Sequence, residues 1–186
     1  MIETSARHIH LSRSDFEVLF GRGATLKIQK ELSQPGEFAS TARLDIIGPK
    51  NKIAGVAVLG PLRAHTQVEV SFTDAINLGI PAPIRDSGDL VDTPGCVLVG
   101  TNGQLNLPRG VIVAKRHIHA DPDFAKTHNL SDGQTVKVAV QTEHRSLVFD
   151  DVTVRVNENF APAMHIDTDE ANAAGIHCLT YGRVLV

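Results

Sequence analysis

Two pairs of histidines carry the clearest chemical signal in the sequence: Arg7-His8-Ile9-His10 recurs as Arg116-His117-Ile118-His119. On a strand, side chains at i and i+2 leave the same face roughly 7 Å apart, so each pair presents two imidazoles together while Ile9 or Ile118 turns into the core. Imidazoles so placed can bind one ion at about 2.0–2.1 Å, and a third ligand from a distant strand would complete a catalytic site with an open position. Glu69 and His165 are the candidates for that third ligand, because each stands just before an echoed turn and helix. These echoes are Thr73-Asp74-Ala75-Ile76-Asn77-Leu78-Gly79-Ile80 and Thr168-Asp169-Glu170-Ala171-Asn172-Ala173-Ala174-Gly175-Ile176. The expected ligand sets are therefore His8, His10 and Glu69 for one ion, and His117, His119 and His165 for the other. A single His-x-His is commonly two surface or hydrogen-bonded histidines; two copies inside a duplicated context weigh for metal. Zinc suits these donors, and cobalt, nickel or iron could also use them.

The elements that must position these residues also read as a duplication. A helix-start signal follows each pair: Ser12 as N-cap with Gly21 as the stop, and Asp121 as N-cap with Pro122 at the first helical position. Both echoes read as short helices opened by Thr or Asp and closed by Gly79 or Gly175. Strands are expected at 44–47, 53–59, 67–72, 96–99, 111–114, 135–140, 147–149 and 152–156. Several of these alternate apolar and polar residues, as half-buried strands do. Gly48-Pro49, Asn102-Gly103 and Asp132-Gly133 read as turns, and 81–95 as the longest loop. Many short strands with few, brief helices favour a mainly β fold of two related β-barrel domains with short capping helices. The expected division is 7–114 for the first barrel, with a loop or helix insertion near 21–41, and 115–186 for the second, completed by an N-terminal strand at 1–6.

Composition bounds the function. Hydrophobic residues make up 42% of the 186, charged residues 21% and aromatics 4%, with no Trp, so any core must rest on Val, Ile, Leu and Ala. A net charge of −3 gives no field for coating a nucleic acid, and an anionic ligand would need a local cluster of Arg or Lys. Cys96 and Cys178 form no CxxC; both are expected to be buried, reduced thiols, which points to a reducing cytoplasm. No apolar run reaches the ~18 residues of a membrane span, and no signal-peptide pattern opens the chain. His65, His128, His144 and His177 fit no pattern and are expected at the surface or in structural roles.

Longer stretches add a resemblance. Ser5-Ala6-Arg7-His8-Ile9-His10-Leu11-Ser12, Leu32-Ser33-Gln34-Pro35-Gly36-Glu37-Phe38, Leu59-Gly60-Pro61-Leu62-Arg63 and Thr66-Gln67-Val68-Glu69 all resemble segments of the phosphate propanoyltransferases, the phosphotransacylases of propanediol utilization. So do Lys115-Arg116-His117-Ile118-His119 and Met164-His165-Ile166-Asp167-Thr168-Asp169-Glu170-Ala171-Asn172. The likeness runs in order along nearly the whole chain. It implies two β-barrels with a dimetal site between them, two zinc ions per chain on the six residues named above, and coenzyme A as substrate or product. It further implies Arg63 as the phosphate-binding residue, Ser5, Lys30, Leu59 and Asn172 as coenzyme A contacts, and a homodimer without nucleic-acid or membrane partners. Ala57 departs from the pattern, since relatives commonly carry Arg there. Members sent into bacterial microcompartments carry an N-terminal amphipathic extension. Here the first pair begins at residue 8, so a free cytoplasmic form or a trimmed one is expected.

The implied reaction is a reversible transfer of a short acyl group, propanoyl or acetyl, between coenzyme A and phosphate by direct, dimetal-assisted attack. The planar fork of Arg63 suits bidentate phosphate binding. Arg7 and Arg116 either bind anions or brace strand ends. A metal-dependent hydrolase of a thioester or related small substrate is the rival reading. His-x-His also marks amidohydrolases, but their (β/α)₈ barrels need about 250 residues and many helices. A binding module with structural zinc is the other rival. Structural sites usually close with four protein ligands, commonly including Cys, and these triads have three without Cys.

Overall fold

Residues 1–185, which the computed structural model describes, form a mainly β protein of two curled, half-barrel sheets with a few short helices. In chain order the elements are β1 (Ile2–Ser5), β2 (His8–Ser12), α1 (Arg13–Phe20), β3 (Ile28–Glu31), β4 (Phe38–Ile47), β5 (Lys52–Arg63), β6 (Gln67–Glu69), α2 (Phe72–Leu78), β7 (Ile84–Arg85), β8 (Cys96–Val99), β9 (Gln104–Leu107) and β10 (Val111–Ala114). They continue as β11 (His117–Ala120), α3 (Pro122–Thr127), β12 (Thr135–Val140), β13 (Leu147–Val156), β14 (Ala163–Asp167), α4 (Thr168–Ala174) and β15 (Gly182–Leu185). No helix is long and apolar enough to cross a membrane.

Two compact units result, one of residues 7–114 and one of residues 1–6 with Lys115 onward. In the first, the strands run β7-β10-β6-β2-β5-β4-β8-β9, with β3 on β4; in the second they run β1-β14-β11-β13-β12-β15. Each sheet has a histidine strand at its heart. β2 lies antiparallel to β6 and parallel to β5; β11 lies antiparallel to β14 and parallel to β13. One further strand is added in parallel outside the third-ligand strand: β10 on β6, and β1 on β14. β1 runs into the first histidine pair and β10 into the second, yet each is hydrogen-bonded in the sheet that carries the opposite pair.

Apolar residues fix the register of these strands. Ile9 is fully buried and stands between Val68 and Val58 on the neighbouring strands. Ile118 is likewise buried, between Met164 and Val154. A slip of one residue would send the isoleucines out and the histidines into the core, so burial of Ile9 and Ile118 holds both imidazole pairs on the opposite face.

Helix termini follow the chemistry of their caps. Ser12 Oγ accepts from the Asp15 N–H at 3.2 Å and Gly21 ends α1 at φ 97°. Asp121 caps α3 ahead of Pro122. α2 opens at Ser71, earlier than the expected Thr-Asp. Ser71 Oγ accepts from the Asp74 N–H, and the Asp74 carboxylate accepts from the Ser71 N–H, a reciprocal capping box. The strand expected over 67–72 therefore ends at Glu69. α4 repeats the box with Asp167 and Glu170. The strands expected at 147–149 and 152–156 are one strand, β13. Asp150-Asp151 is absorbed as a bulge opposite β12, with Asp151 at φ 53°. Cys96 is buried as expected, but Cys178 is exposed.

Candidate metal centre

The antiparallel register of β2 and β6 sets His8 directly opposite Glu69 and His10 opposite Gln67. Cross-strand partners share a sheet face, so the glutamate joins the two imidazoles although nearly sixty residues separate them in the chain. His8 Nε2 lies 3.4 Å from Glu69 Oε2, and the His8 and His10 rings meet edge to face with centroids 5.0 Å apart. One donor atom from each of His8, His10 and Glu69 falls within 4.8 Å of the others. His10 Nδ1 is buried and has no hydrogen-bond partner among the described residues. A buried nitrogen left so costs free energy unless something else engages its lone pair, and a metal ion does so. The donor set and this nitrogen both fit a divalent cation.

Electrostatics favour the ligand forms. Burial, reinforced by the charges of His8 and Arg63, holds His10 well below the usual histidine pKa, which keeps it neutral. Burial opposes a charge on Glu69, but the charge and hydrogen bond of His8, with the Ser87 hydroxyl, outweigh it and hold the carboxyl well below the usual range. Neutral imidazole and ionised carboxylate are the states that bind metal.

Behind Glu69 stands a polar chain that sequence reasoning missed. Ser87 Oγ donates to Glu69 Oε1 at 3.0 Å and accepts from Gln67 Nε2 at 2.9 Å and Arg63 Nη1 at 3.1 Å. Gln67 Nε2 also donates to Glu69 Oε1 at 2.5 Å, and the second Arg63 nitrogen reaches Glu37 Oε1 at 3.0 Å. Arg63, at the end of β5, is thereby held two hydrogen bonds from a candidate ligand. Ser87 lies in the stretch expected as a plain loop, and no local pattern marks it.

The second triad repeats the register: β11 and β14 place His117 opposite His165 and His119 opposite Ala163. Ring centroids are 4.7 Å apart for His117–His119, 5.2 Å for His117–His165 and 4.8 Å for His119–His165. His117 Nδ1 meets the Lys115 carbonyl at 2.8 Å, so this nitrogen carries the proton and Nε2 keeps its lone pair. His119 stacks on Phe160 at 4.0 Å. His119 Nδ1 and His165 Nε2 are both buried. In the first triad one donor atom from each of the three residues lies within 4.8 Å of the others.

Other candidates are more dispersed. Leu59 is the β5 partner of His10, and Ala57 that of His8. Lys30 is exposed on β3. Ser5 is half-buried at the end of β1 opposite Asp167, and Asn172 is exposed on α4. Arg7 and Arg116 both brace helix starts. Arg7 Nε lies 2.8 Å from Asp74, and Arg116 Nε lies 2.9 Å from Glu170, the third-position carboxylates of the two capping boxes.

Comparison with known proteins places the chain in a family. A sequence model of the phosphate propanoyltransferase family matches residues 1–177. A phosphate propanoyltransferase of Thermotoga maritima is 53% identical over 174 residues, covering 94% of this chain and 83% of its own. One from Alkaliphilus metalliredigens is 50% identical over 99% of this chain and 86% of its own, and one from Escherichia fergusonii 52% over 92% and 81%. The chain belongs to the phosphate propanoyltransferase family and is an acyltransferase.

Proposed function

We propose that this acyltransferase moves a short acyl group, propanoyl or acetyl, reversibly between coenzyme A and inorganic phosphate. The observation that carries this reading is the link from the Arg63 guanidinium through Ser87 to Glu69, which sets an anion-binding fork beside the His8, His10 and Glu69 donors.

Phosphate is itself a nucleophile, so the protein's task is to hold it and to meet developing charge. Arg63 offers a planar fork that can exchange Glu37 for phosphate oxygens. With two zinc ions per chain, held by His8, His10 and Glu69 and by His117, His119 and His165, an open coordination position would supply Lewis acidity toward the thioester carbonyl. The phosphate oxygen bonds to the carbonyl carbon as the carbon–sulfur bond breaks, giving acyl phosphate and coenzyme A thiolate. The buried Cys96 thiol, pushed up to about 12 by burial, is no competing nucleophile. Ser5, Lys30, Leu59 and Asn172 are the residues we assign to coenzyme A. A cavity of about 560 Å³ lined in part by Thr4, Thr168 and Asn172 offers room for part of it. A homodimer in the cytoplasm, with no nucleic-acid or membrane partner, completes the reading and accords with the net charge of −3.

Release of free thiol from propanoyl- and acetyl-coenzyme A, measured with and without phosphate and before and after chelation, tests the proposal. Phosphate-dependent release that chelation stops is the expected result. Release that proceeds equally without phosphate would make the protein a thioester hydrolase.

A further inference from the structure

We propose that Glu3 is a positioning residue for His165, a carboxylate behind the imidazole that fixes it as an Nε2 ligand of the second ion. The inference rests on reading His117, His119 and His165 as a metal site.

β1 lies parallel to β14 with Glu3 in register with His165, so the two side chains rise from the same face of the sheet. Glu3 Oε2 lies 3.8 Å from His165 Nδ1. The two ring nitrogens sit on different edges of the imidazole, and Nε2 is buried. The carboxylate therefore stands on the Nδ1 edge of the ring and leaves Nε2 for a metal ion. At 3.8 Å the contact is electrostatic, longer than an N–H···O bond.

The other two histidines of the triad have separate supports: His117 donates from Nδ1 to the Lys115 carbonyl, and His119 stacks on Phe160. Glu3 supplies the corresponding support for His165. In the first unit the position matching Glu3 is Ile112, which stands in register with Glu69 on the parallel β10–β6 pair. Each unit thus has one carboxylate at this place in its sheet. In the first it is the candidate ligand itself; in the second it has moved one strand outward, behind a neutral ligand. A site of three neutral imidazoles gains from a negative charge in the outer shell, which fixes the tautomer and raises ligand basicity, and losing such a partner typically weakens metal binding about 10–100-fold.

The test is zinc stoichiometry by elemental analysis, followed by competition with a chromophoric chelator, on wild type, Glu3→Gln, Glu3→Ala and His165→Ala. Far-UV circular dichroism accompanies each variant to confirm that the sheets persist. The expected result is two ions in wild type, one in His165→Ala, and two in both Glu3 variants, one of them released at roughly 10–100-fold lower chelator concentration. Glu3 variants that hold both ions as tightly as wild type would overturn the role of Glu3 while leaving the second site intact. A wild type that holds a single ion, unchanged in His165→Ala, would overturn the second site and the inference with it.

Discussion

His8 and Glu69 stand directly opposite each other on antiparallel strands, in the same relation as His117 and His165. A single cross-strand pairing, repeated, therefore brings each distant third donor to its histidine pair. What differs is the chemistry of that donor: a carboxylate in one unit and an imidazole in the other.

Glu69→Gln keeps the shape of the side chain and removes its charge. The two hydrogen bonds it accepts from Ser87 and Gln67 can be remade to the amide oxygen, so the fold should persist. A neutral amide is a poor ligand for zinc, so the variant should lose one ion per chain while keeping the circular dichroism spectrum of wild type. Elemental analysis checks this; full metal content in the variant would remove Glu69 from the ligand set.

Arg63→Ala removes charged donors worth roughly 1.5–3 kcal/mol per charged hydrogen bond, so about a tenfold to hundredfold loss in kcat/KM for phosphate is expected for each bond to phosphate that is lost. The loss should appear in phosphate KM more than in coenzyme A KM. Arg63→Lys keeps the charge but not the fork and should recover only part of it. Ser87→Ala frees Arg63 on one side and Glu69 on the other, so it should lower both phosphate affinity and metal retention. Steady-state kinetics with metal analysis separate these effects.

The histidine faces, the buried isoleucines and two of the four helix N-caps, Ser12 and Asp121, were legible because each depends on residues within a few positions of one another. Period-two alternation gives the face, and a Ser or Asp before a turn gives the cap. Ser71 escaped because the exposed Phe72 after it extends an alternating run that reads as strand, and only the reciprocal bond with Asp74 ends it. Asp150-Asp151 fell between two expected strands because two adjacent acids rarely sit within a strand; the bulge that admits them is set by β12. The second unit was expected to take in a strand at 1–6, but the exact pairing of β10 with β6 leaves no local mark, since it joins segments far apart in the chain. The Arg63–Ser87–Glu69 relay was illegible for the same reason.

Stability of the metal-free protein should depend on pH through His10. Its pKa in the folded state is depressed by burial and by the neighbouring charges of His8 and Arg63. Protons therefore bind the unfolded chain more readily. Stability is complete above the unfolded value of about 6.5 and is lost as pH falls below it toward the folded value. Glu69, depressed as a carboxylate, contributes a nearly constant amount across this window, because its stabilisation is lost only as pH falls below the unfolded value of about 4.3. Denaturation midpoints between about pH 5 and 8 in chelator should be flat above about 7 and fall below about 6. His10→Asn should flatten that fall; an unchanged slope would assign it to other groups.

Arg7 adjoins the first histidine pair, yet its guanidinium is turned to Asp74 at 2.8 Å. Asp74 is buried and already serves the capping box of α2, so the ion pair joins the start of β2 to the start of that helix. Because the Arg7 side chain is 43% exposed, solvent screens the pair, and a double-mutant cycle with Arg7→Ala and Asp74→Ala should give a coupling of about 0.5–1 kcal/mol. Asp74→Ala alone should cost more, about 1–2 kcal/mol, since it also removes the capping-box bond accepted from the Ser71 N–H. A residue that braces a helix should leave phosphate KM within about twofold of wild type when removed, whereas an anion-binding one should raise it about tenfold or more. Denaturant midpoints and phosphate titrations on the same Arg7→Ala protein distinguish the two. A preserved midpoint with a raised KM would transfer Arg7 from the scaffold to the phosphate site.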